Sequence, residues 1–491
     1  MSYNRTEELR FKNIKIFSNL IWRFAERCGA QLVAFIVSIV LARMLDPAVY
    51  GVVALITVFT SILQVFVDSG LGNALIQKKN ADELDFSTVF YANVIFCGIL
   101  YLLLFLCAPW IAKFYDDISL ALLIRVLGIT VLVSGVKNVQ QAYVSRNMMF
   151  RKFFFSTLGG TIAAAVIGIV MAVSGYGVWA LVAQQIINVT IDTVILWITV
   201  KWRPRGGFSL NRLKSLFSYG WKLLVSALLD IGYNNIRQLI IGKMYSSSDL
   251  AYYNRGKQFP NFIVANVNNA IDSVLFPAMA SVQDDRQNVK EMTRKSIKVS
   301  VYVMAPLMMG LAFTADSVVR LVLTDKWIEC APYLRIFCIS FMFWPIHTAN
   351  LNAIKAMGRS DLFLKLEILK KGVGIILLLS TMWLGPMAMA YSLLVSSICS
   401  QIINSWPNRT LLEYGYMEQL RDILPCILLA VGMGMLVWCV SLTGWPVLIV
   451  LSIQIALGAF IYLTGSALCR IDSFVYLKDI LKSFYRSRGN V

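Results

Sequence analysis

The sequence predicts an all-α membrane protein of about 14 transmembrane helices, arranged as two six-helix lobes with pseudo-two-fold symmetry along the membrane normal plus two C-terminal helices. Three observations predict it: the composition, the spacing of apolar runs, and the sorting of basic residues between loops. Of 491 residues, 58% are hydrophobic and only 15% charged, and the mean hydropathy is +0.67. A water-soluble chain of this length needs far more polar surface. The net charge of +18 would suggest nucleic acid in a soluble protein. Here the basic residues sit mainly in short loops, where they anchor topology, so no nucleic-acid partner is expected.

A helix crosses the hydrocarbon core with about 20 mostly apolar residues. Such runs lie near 16–42, 50–75, 87–112, 118–144, 154–174 and 176–200, then 216–243, 250–280, 297–323, 329–354, 362–383 and 386–407. A last pair lies near 421–441 and 445–468. With the N-terminus inside, the inner segments collect most of the Lys and Arg, from Arg5 and Arg10 through Arg146 and Arg212 to Arg486 and Arg488. The outer loops hold only Arg43, Lys113, Lys243 and Lys326. That asymmetry places both termini in the cytoplasm.

The basic stretch 201–215, with Pro204 and the Gly206-Gly207 pair, reads as a cytoplasmic linker between lobes 1–200 and 216–415. Residues 416–470 hold the two additional helices, and 471–491 form a basic cytoplasmic tail. An internal repeat runs across the linker at an offset near 200: Trp22-Arg23 answers to Trp221-Lys222, Arg43-Met44-Leu45 to Lys243-Met244-Tyr245, and Asp68-Ser69 to Asp272-Ser273. Because each half has an even number of spans, both insert the same way up. A site at their interface near mid-membrane follows.

The sharpest functional signal is ionisable residues inside the spans, where an ionised side chain persists only if it faces protein or a watery cavity. They are Arg23, Glu26 and Arg27, then Asp68, Arg125 and Lys137, then Lys222, Asp230 and Arg237. Arg255, Lys257 and Asp272 follow, and then Lys365, Glu367, Lys370 and Lys371. Those near span ends (Lys137, Lys222, Lys365) can instead snorkel to the interface, and Glu26 with Arg23 can be a structural pair. Bases outnumber acids here by 11 to 5, so the cavity they line favours an anion. Helix breakers within the second-half spans (Pro260, Pro277, Pro306, Pro345, Pro386) permit bending. Trp22, Trp179, Trp221, Trp327 and Trp344 read mostly as interfacial anchors.

Enzyme chemistry is not expected. His347 is the sole histidine and reads as a hydrogen-bonded packing residue. No phosphate-binding glycine loop is present, and no loop is long enough for a catalytic domain. The cysteines follow no metal or disulfide spacing; most read as small core residues, with Cys330 alone expected to face outward.

Several blocks resemble a known family. The run Trp22 … Arg27 … Gln31 … Leu41-Ala42-Arg43-Met44-Leu45-Asp46-Pro47 … Tyr50-Gly51 looks like the opening of the Wzx-type polysaccharide flippases. Asp68-Ser69-Gly70-Leu71, Gly175-Tyr176-Gly177-Val178-Trp179, Tyr252-Tyr253-Asn254-Arg255-Gly256, Leu275-Phe276-Pro277 and Ala356-Met357-Gly358-Arg359-Ser360-Asp361 fit later motifs in order. The nearest branch is the colanic acid and teichuronic acid exporter type. The resemblance implies the multidrug/oligosaccharidyl-lipid/polysaccharide fold and an undecaprenyl-pyrophosphate-linked oligosaccharide moved across the bacterial inner membrane by alternating access. It also implies a coupling ion, H+ or Na+, and neighbours such as a polysaccharide polymerase and a chain-length regulator. In the lipid II flippases, a sister family, the extra helices form a groove for the lipid tail.

Residues and resemblance meet at the pyrophosphate, best held by charge-assisted bonds from arginine. Arg23, Arg27, Arg237, Arg255, Lys257 and Lys371 are the expected substrate contacts. Glu26, Asp68, Asp230, Asp272 and Glu367 balance them or carry the ion. The competing readings are a multidrug antiporter of the same fold, which needs an acidic pocket, and a membrane glycan polymerase, which carries a large outer loop.

Overall fold

Apolar runs punctuated by proline, glycine and charged caps give a chain that is helical almost throughout. The computed structural model describes residue 22 and residues 29–68 and 71–488, and no strand occurs among them. The chain divides into two compact units after Leu250. The first contains α1 (Gly29–Met44), α2 (Pro47–Asp68), α3 (Leu71–Gln77), α4 (Glu83–Phe114), α5 (Ser119–Arg146), α6 (Phe150–Val173), α7 (Val178–Thr199) and α8 (Leu210–Met244). Helix α9 (Ser247–Ala280) starts just before the division and leads into the second unit. There follow α10 (Arg286–Phe313), α11 (Ala315–Val322), a 3-10 turn (Asp325–Cys330), α12 (Ala331–Met342), α13 (Trp344–Ala356), α14 (Ser360–Thr381) and α15 (Pro386–Leu411). The last helices are α16 (Tyr416–Cys439), α17 (Val447–Leu468) and α18 (Asp472–Arg488).

Ten described segments are long and apolar enough to cross a membrane: α2 continued by α3, α4 to α7, α9, α10, and α15 to α17. The protein is thus a multi-pass helical membrane protein. The other four expected spans fall below that measure for chemical reasons. Helix α1 is described only from Gly29 onward. Helix α8 carries Lys222, Asp230, Arg237 and Lys243, and α14 carries Lys365, Glu367, Lys370 and Lys371. The run 329–354 is broken into α12 and α13, with Pro345 in the first turn of the latter. Helix α10 begins eleven residues before its expected span, at Arg286. Its added turns are charged, so hydropathy does not register them.

Two stretches of the chain, α1 to α7 and α8 to α15, repeat one helix order. Met44 closes α1 as Met244 closes α8, and α2 and α9 begin at Pro47 and Ser247, an offset of 200. Helices α4 and α5 pack together, and so do α6 and α7; in the second unit α10 packs with α12 and α13, and α14 with α15. The counterpart of the continuous α5 is therefore the broken pair α12 and α13. Helices α16 to α18 have no counterpart in the first unit. Helix α16 packs on α10 and α17, and Tyr462 Oη donates to the Tyr302 carbonyl at 2.9 Å.

The basic linker is fastened to the first unit. Gly206 N donates to Ser87 Oγ at 3.0 Å and Ser209 N to Thr88 Oγ1 at 3.2 Å. Gln140 donates to the Trp202 carbonyl at 3.1 Å, and the Trp202 ring packs against Phe86, Phe90 and Tyr143. Asp82 and Asp85 form a capping box at the start of α4, an arrangement that satisfies two otherwise orphaned amides. Arg212 reaches both carboxylates, at 2.8 and 3.0 Å. Its hydrogen bonds to Asp85 and Asp82 hold the guanidinium pKa above its ordinary value. Helix α8 packs on α2, α3 and α4, which is why the packing division falls after Leu250 rather than at the linker.

One corner of this unit depends on the absence of a side chain. A Cβ on Gly51 would lie 1.7 Å from the Ser247 carbonyl oxygen, and backbone cannot yield as a flexible side chain can. Gly51→Ala is expected to lower stability by about 3 kcal/mol through overpacking. Thermal unfolding in detergent checks it, and an unchanged Tm would contradict this packing.

Candidate functional site

Polar side chains collect inside both units, and the amides among them matter as much as the charges. In the first unit, Lys137 of α5 and Asp192 of α7 form an ion pair at 3.1 Å, with side chains only 13% and 9% exposed. Lys137 does not snorkel: its ammonium turns inward to a carboxylate. Next to it, Asn138 Nδ2 donates to Asp68 Oδ1 at 3.5 Å, Gln64 donates to the same oxygen at 3.0 Å, and Asn93 Nδ2 donates to Asn138 Oδ1 at 3.2 Å. Gly72 makes room for this cluster, since a Cβ there would lie 2.6 Å from Asn138 Oδ1.

The second unit repeats the motif. Asn352 Nδ2 of α13 donates to Asp272 Oδ1 of α9 at 2.8 Å. Asp68 and Asp272 lie within one helical turn of matching places in α2 and α9, so each unit holds one aspartate–asparagine pair between matching helices. Around it lie further buried amides. Asn408 donates to Asn350 Oδ1 at 2.7 Å, and Gln419 donates to the same oxygen at 3.0 Å. The Asn404 amide lies 3.2 Å from His347 Nδ1, the packing role expected for that histidine.

The expected site residues are distributed as follows. Arg23, Glu26 and Arg27 lie outside the described residues. Arg237 belongs to the first unit and is 5% exposed; its Nε and Nη2 are buried without a hydrogen-bond partner among the described residues. Arg255, in the second unit, is equally buried. It stands 5.4 Å over the Trp327 ring and donates to Gln258 Oε1 at 2.5 Å. Trp327 and Cys330, expected at the interface and facing outward, are both fully buried in this corner. The 3-10 turn folds them beneath α9, so this loop contributes core rather than an anchor.

Lys257 and Lys371 are half-buried, and Asp68, Asp230 and Asp272 are exposed. Glu367 is taken by Lys370 at 2.6 Å on the same face of α14. At the loop before α14, Arg359 grips Asp361 through two 3.0 Å bonds. Those bonds pull the exposed carboxyl down to about 2. Sequence reading passed over Asp192, Asn93, Asn138, Asn350 and Asn352. The signal that finds them is polar residues of any charge state on apolar helices, because amides also cost several kcal/mol to bury unpaired.

A cavity of about 510 Å³ opens between α10, α16 and α17. Pro306, Met433, Val437, Ile455 and Tyr462 line it, with Gln454 as a polar interruption. Its chemistry suits an acyl or prenyl chain.

Comparison with known proteins is consistent across sequence and fold. Teichuronic acid biosynthesis protein TuaB of Bacillus subtilis (strain 168) is 26% identical over 418 residues, covering 82% of this chain and 85% of that one. Lipopolysaccharide biosynthesis protein WzxC of Escherichia coli (strain K12) is 24% identical over 385 residues, covering 77% and 76%. The lipid II flippase MurJ, in an inward closed conformation, shares the fold with a TM-score of 0.73 at 14% identity, over 94% of this chain and 100% of that one. The profile of the polysaccharide biosynthesis protein family matches residues 40–332, more than half of the chain, and the protein belongs to that family.

Proposed function

We propose that the protein is a flippase that carries undecaprenyl-pyrophosphate-linked oligosaccharide repeat units from the cytoplasmic to the outer leaflet of the bacterial inner membrane, with both termini in the cytoplasm. The cargo feeds capsule, exopolysaccharide or O-antigen assembly, where a polymerase and a chain-length regulator receive it. The observation that carries this reading is Arg237: a desolvated guanidinium with two nitrogens that have no acceptor among the described residues. Such a group calls for an anion, and a pyrophosphate supplies acceptor oxygens in matching geometry. The family membership and the relatives' names support a polysaccharide precursor as cargo. The apolar cavity by α17 supports a lipid-linked one.

Transport proceeds by alternating access, with the lobes moving about a binding site near mid-membrane. Arg237, Arg255, Lys257 and Lys371, together with Arg23 and Arg27, are proposed to meet the pyrophosphate. Asp68 and Asp272 are proposed as coupling groups for H+ or Na+, since each already holds an asparagine that can share a cation or compensate a proton.

Reconstitution tests the reading. Purified protein in vesicles is given a fluorescent undecaprenyl-pyrophosphate oligosaccharide, and a membrane-impermeant quencher reports the fraction in each leaflet. Exchange between leaflets well above that of protein-free vesicles is the expected result, accelerated by an imposed H+ or Na+ gradient. Exchange at the protein-free rate in all arms would overturn the proposal.

A further inference from the structure

Where the added helices α16, α17 and α18 meet α10 of the repeated architecture, the second unit holds a basic pocket that the transport reading does not use. Its cavity is about 500 Å³ and is lined by Lys298, Arg421 and Arg470, with Asp422, Asp472 and an apolar wall that includes Leu428 and Leu429. A second cavity of about 470 Å³ adjoins it through Lys298 and Asp472 and adds Arg294 and Lys295. Five cations and two carboxylates thus line the two cavities, while Glu418 at 3.5 Å from Arg294 and Glu291 at 3.7 Å from Lys295 offset two of the cations.

The carboxylates are already committed. Asp422, almost fully buried, receives two bonds from Arg294 at 2.7 and 2.8 Å, one from the Tyr414 hydroxyl at 2.9 Å, and the Lys298 ammonium at 3.4 Å. Asp472 takes Lys298 at 2.9 Å. The side chains of Arg421 and Arg470 are left with no ion pair or hydrogen bond among the described residues. Arg470 also follows the end of α17 in the left-handed conformation, at φ +48°. Glycine is the residue that position normally favours.

We infer that this pocket binds the phosphate of an anionic phospholipid from the surrounding bilayer, with Arg421 and Arg470 on the headgroup. Basic pockets between transmembrane helices at the membrane surface suit such headgroups. The apolar wall selects a lipid over free phosphate: Leu424 and Leu428 of α16 are exposed and continue from the pocket along the membrane-crossing helix. A resident lipid is favoured over the transported one because, Lys298 of α10 apart, the lining of the first cavity comes from α16, the end of α17 and the start of α18, which lie outside the repeated architecture. The inference does not depend on the identity of the cargo.

Cys469 lines the pocket and is exposed, whereas Cys439 is exposed at the opposite end of α16. The full-length protein is placed in phosphatidylcholine nanodiscs with and without phosphatidylglycerol, and maleimide labelling at each cysteine is read by peptide mass spectrometry. Phosphatidylglycerol is expected to slow Cys469 labelling about tenfold and leave Cys439 unchanged. The effect disappears in Arg421→Gln/Arg470→Gln and persists in Arg421→Lys/Arg470→Lys. Equal Cys469 labelling in the two wild-type membranes overturns the proposal without recourse to any variant. So does equal protection by inorganic pyrophosphate, which reveals a plain anion site, or protection by undecaprenyl pyrophosphate alone, which assigns the pocket to the cargo.

Discussion

Replacing Arg237 with alanine is expected to reduce lipid-linked oligosaccharide transport at least a hundredfold, on the basis of two lost charge-assisted hydrogen bonds of about 1.5–3 kcal/mol each. The same substitution leaves the folded protein as stable as before, or more stable. A guanidinium 5% exposed, with two nitrogens unsatisfied among the described residues, is a liability in the resting protein, because desolvating an ion costs several kcal/mol even after relaxation. Alanine removes that cost together with the anion contact. Arg237→Lys retains the charge but not the forked geometry, so it restores only part of the rate. The measurements are leaflet exchange in vesicles and thermal unfolding in detergent. A merely structural arginine would show the opposite pattern, with stability falling and the rate per folded molecule intact.

The second large effect lies in the Lys137–Asp192 pair. Asp192→Leu leaves an ammonium buried without its partner, and Lys137→Met leaves a carboxylate in the same state; each is expected to cost about 3–5 kcal/mol. The double variant removes both charges from a site whose side chains are 13% and 9% exposed. Apolar replacements of similar size often match a buried pair in stability, so the double variant should recover most of the loss. The readout is a double-mutant cycle on thermal unfolding. Additive effects, with the double variant worst of all, would show that the two groups are not paired in the folded protein.

Apolar runs made the helical class and ten of the fourteen expected spans legible in the sequence, and short matches between the halves revealed the offset near 200. The corner at Met44 and Met244 shows how closely the repeat can be read: both the last residue of one helix and the first of the next recur. The candidate site was less legible. Arg237 stood out because an arginine inside an apolar run has a single-residue signature. Asp192 was missed because its 22-residue helix already carries Gln184, Gln185 and Asn188, so one acid does not stand out there, and its meaning comes from Lys137, 55 positions away in the chain. The asparagines were missed because an amide barely dents a hydropathy average, although burial makes it demand a partner. Trp327 and Cys330 were misread for a different reason. Composition suggests which residues favour an interface, but only the path of a 3-10 turn decides which of them end up underneath it.

The break between α12 and α13 gives the repeated aspartate–asparagine pair two different mechanical settings. In the first unit Asn138 rides on α5, a 28-residue rod without interruption, so displacement at one end is transmitted to the other. In the second unit Asn352 rides on a 13-residue lever that starts at Trp344 and Pro345. That lever can tilt without carrying α12 with it. The chain has thus duplicated a polar latch and then put a joint behind only one of the copies.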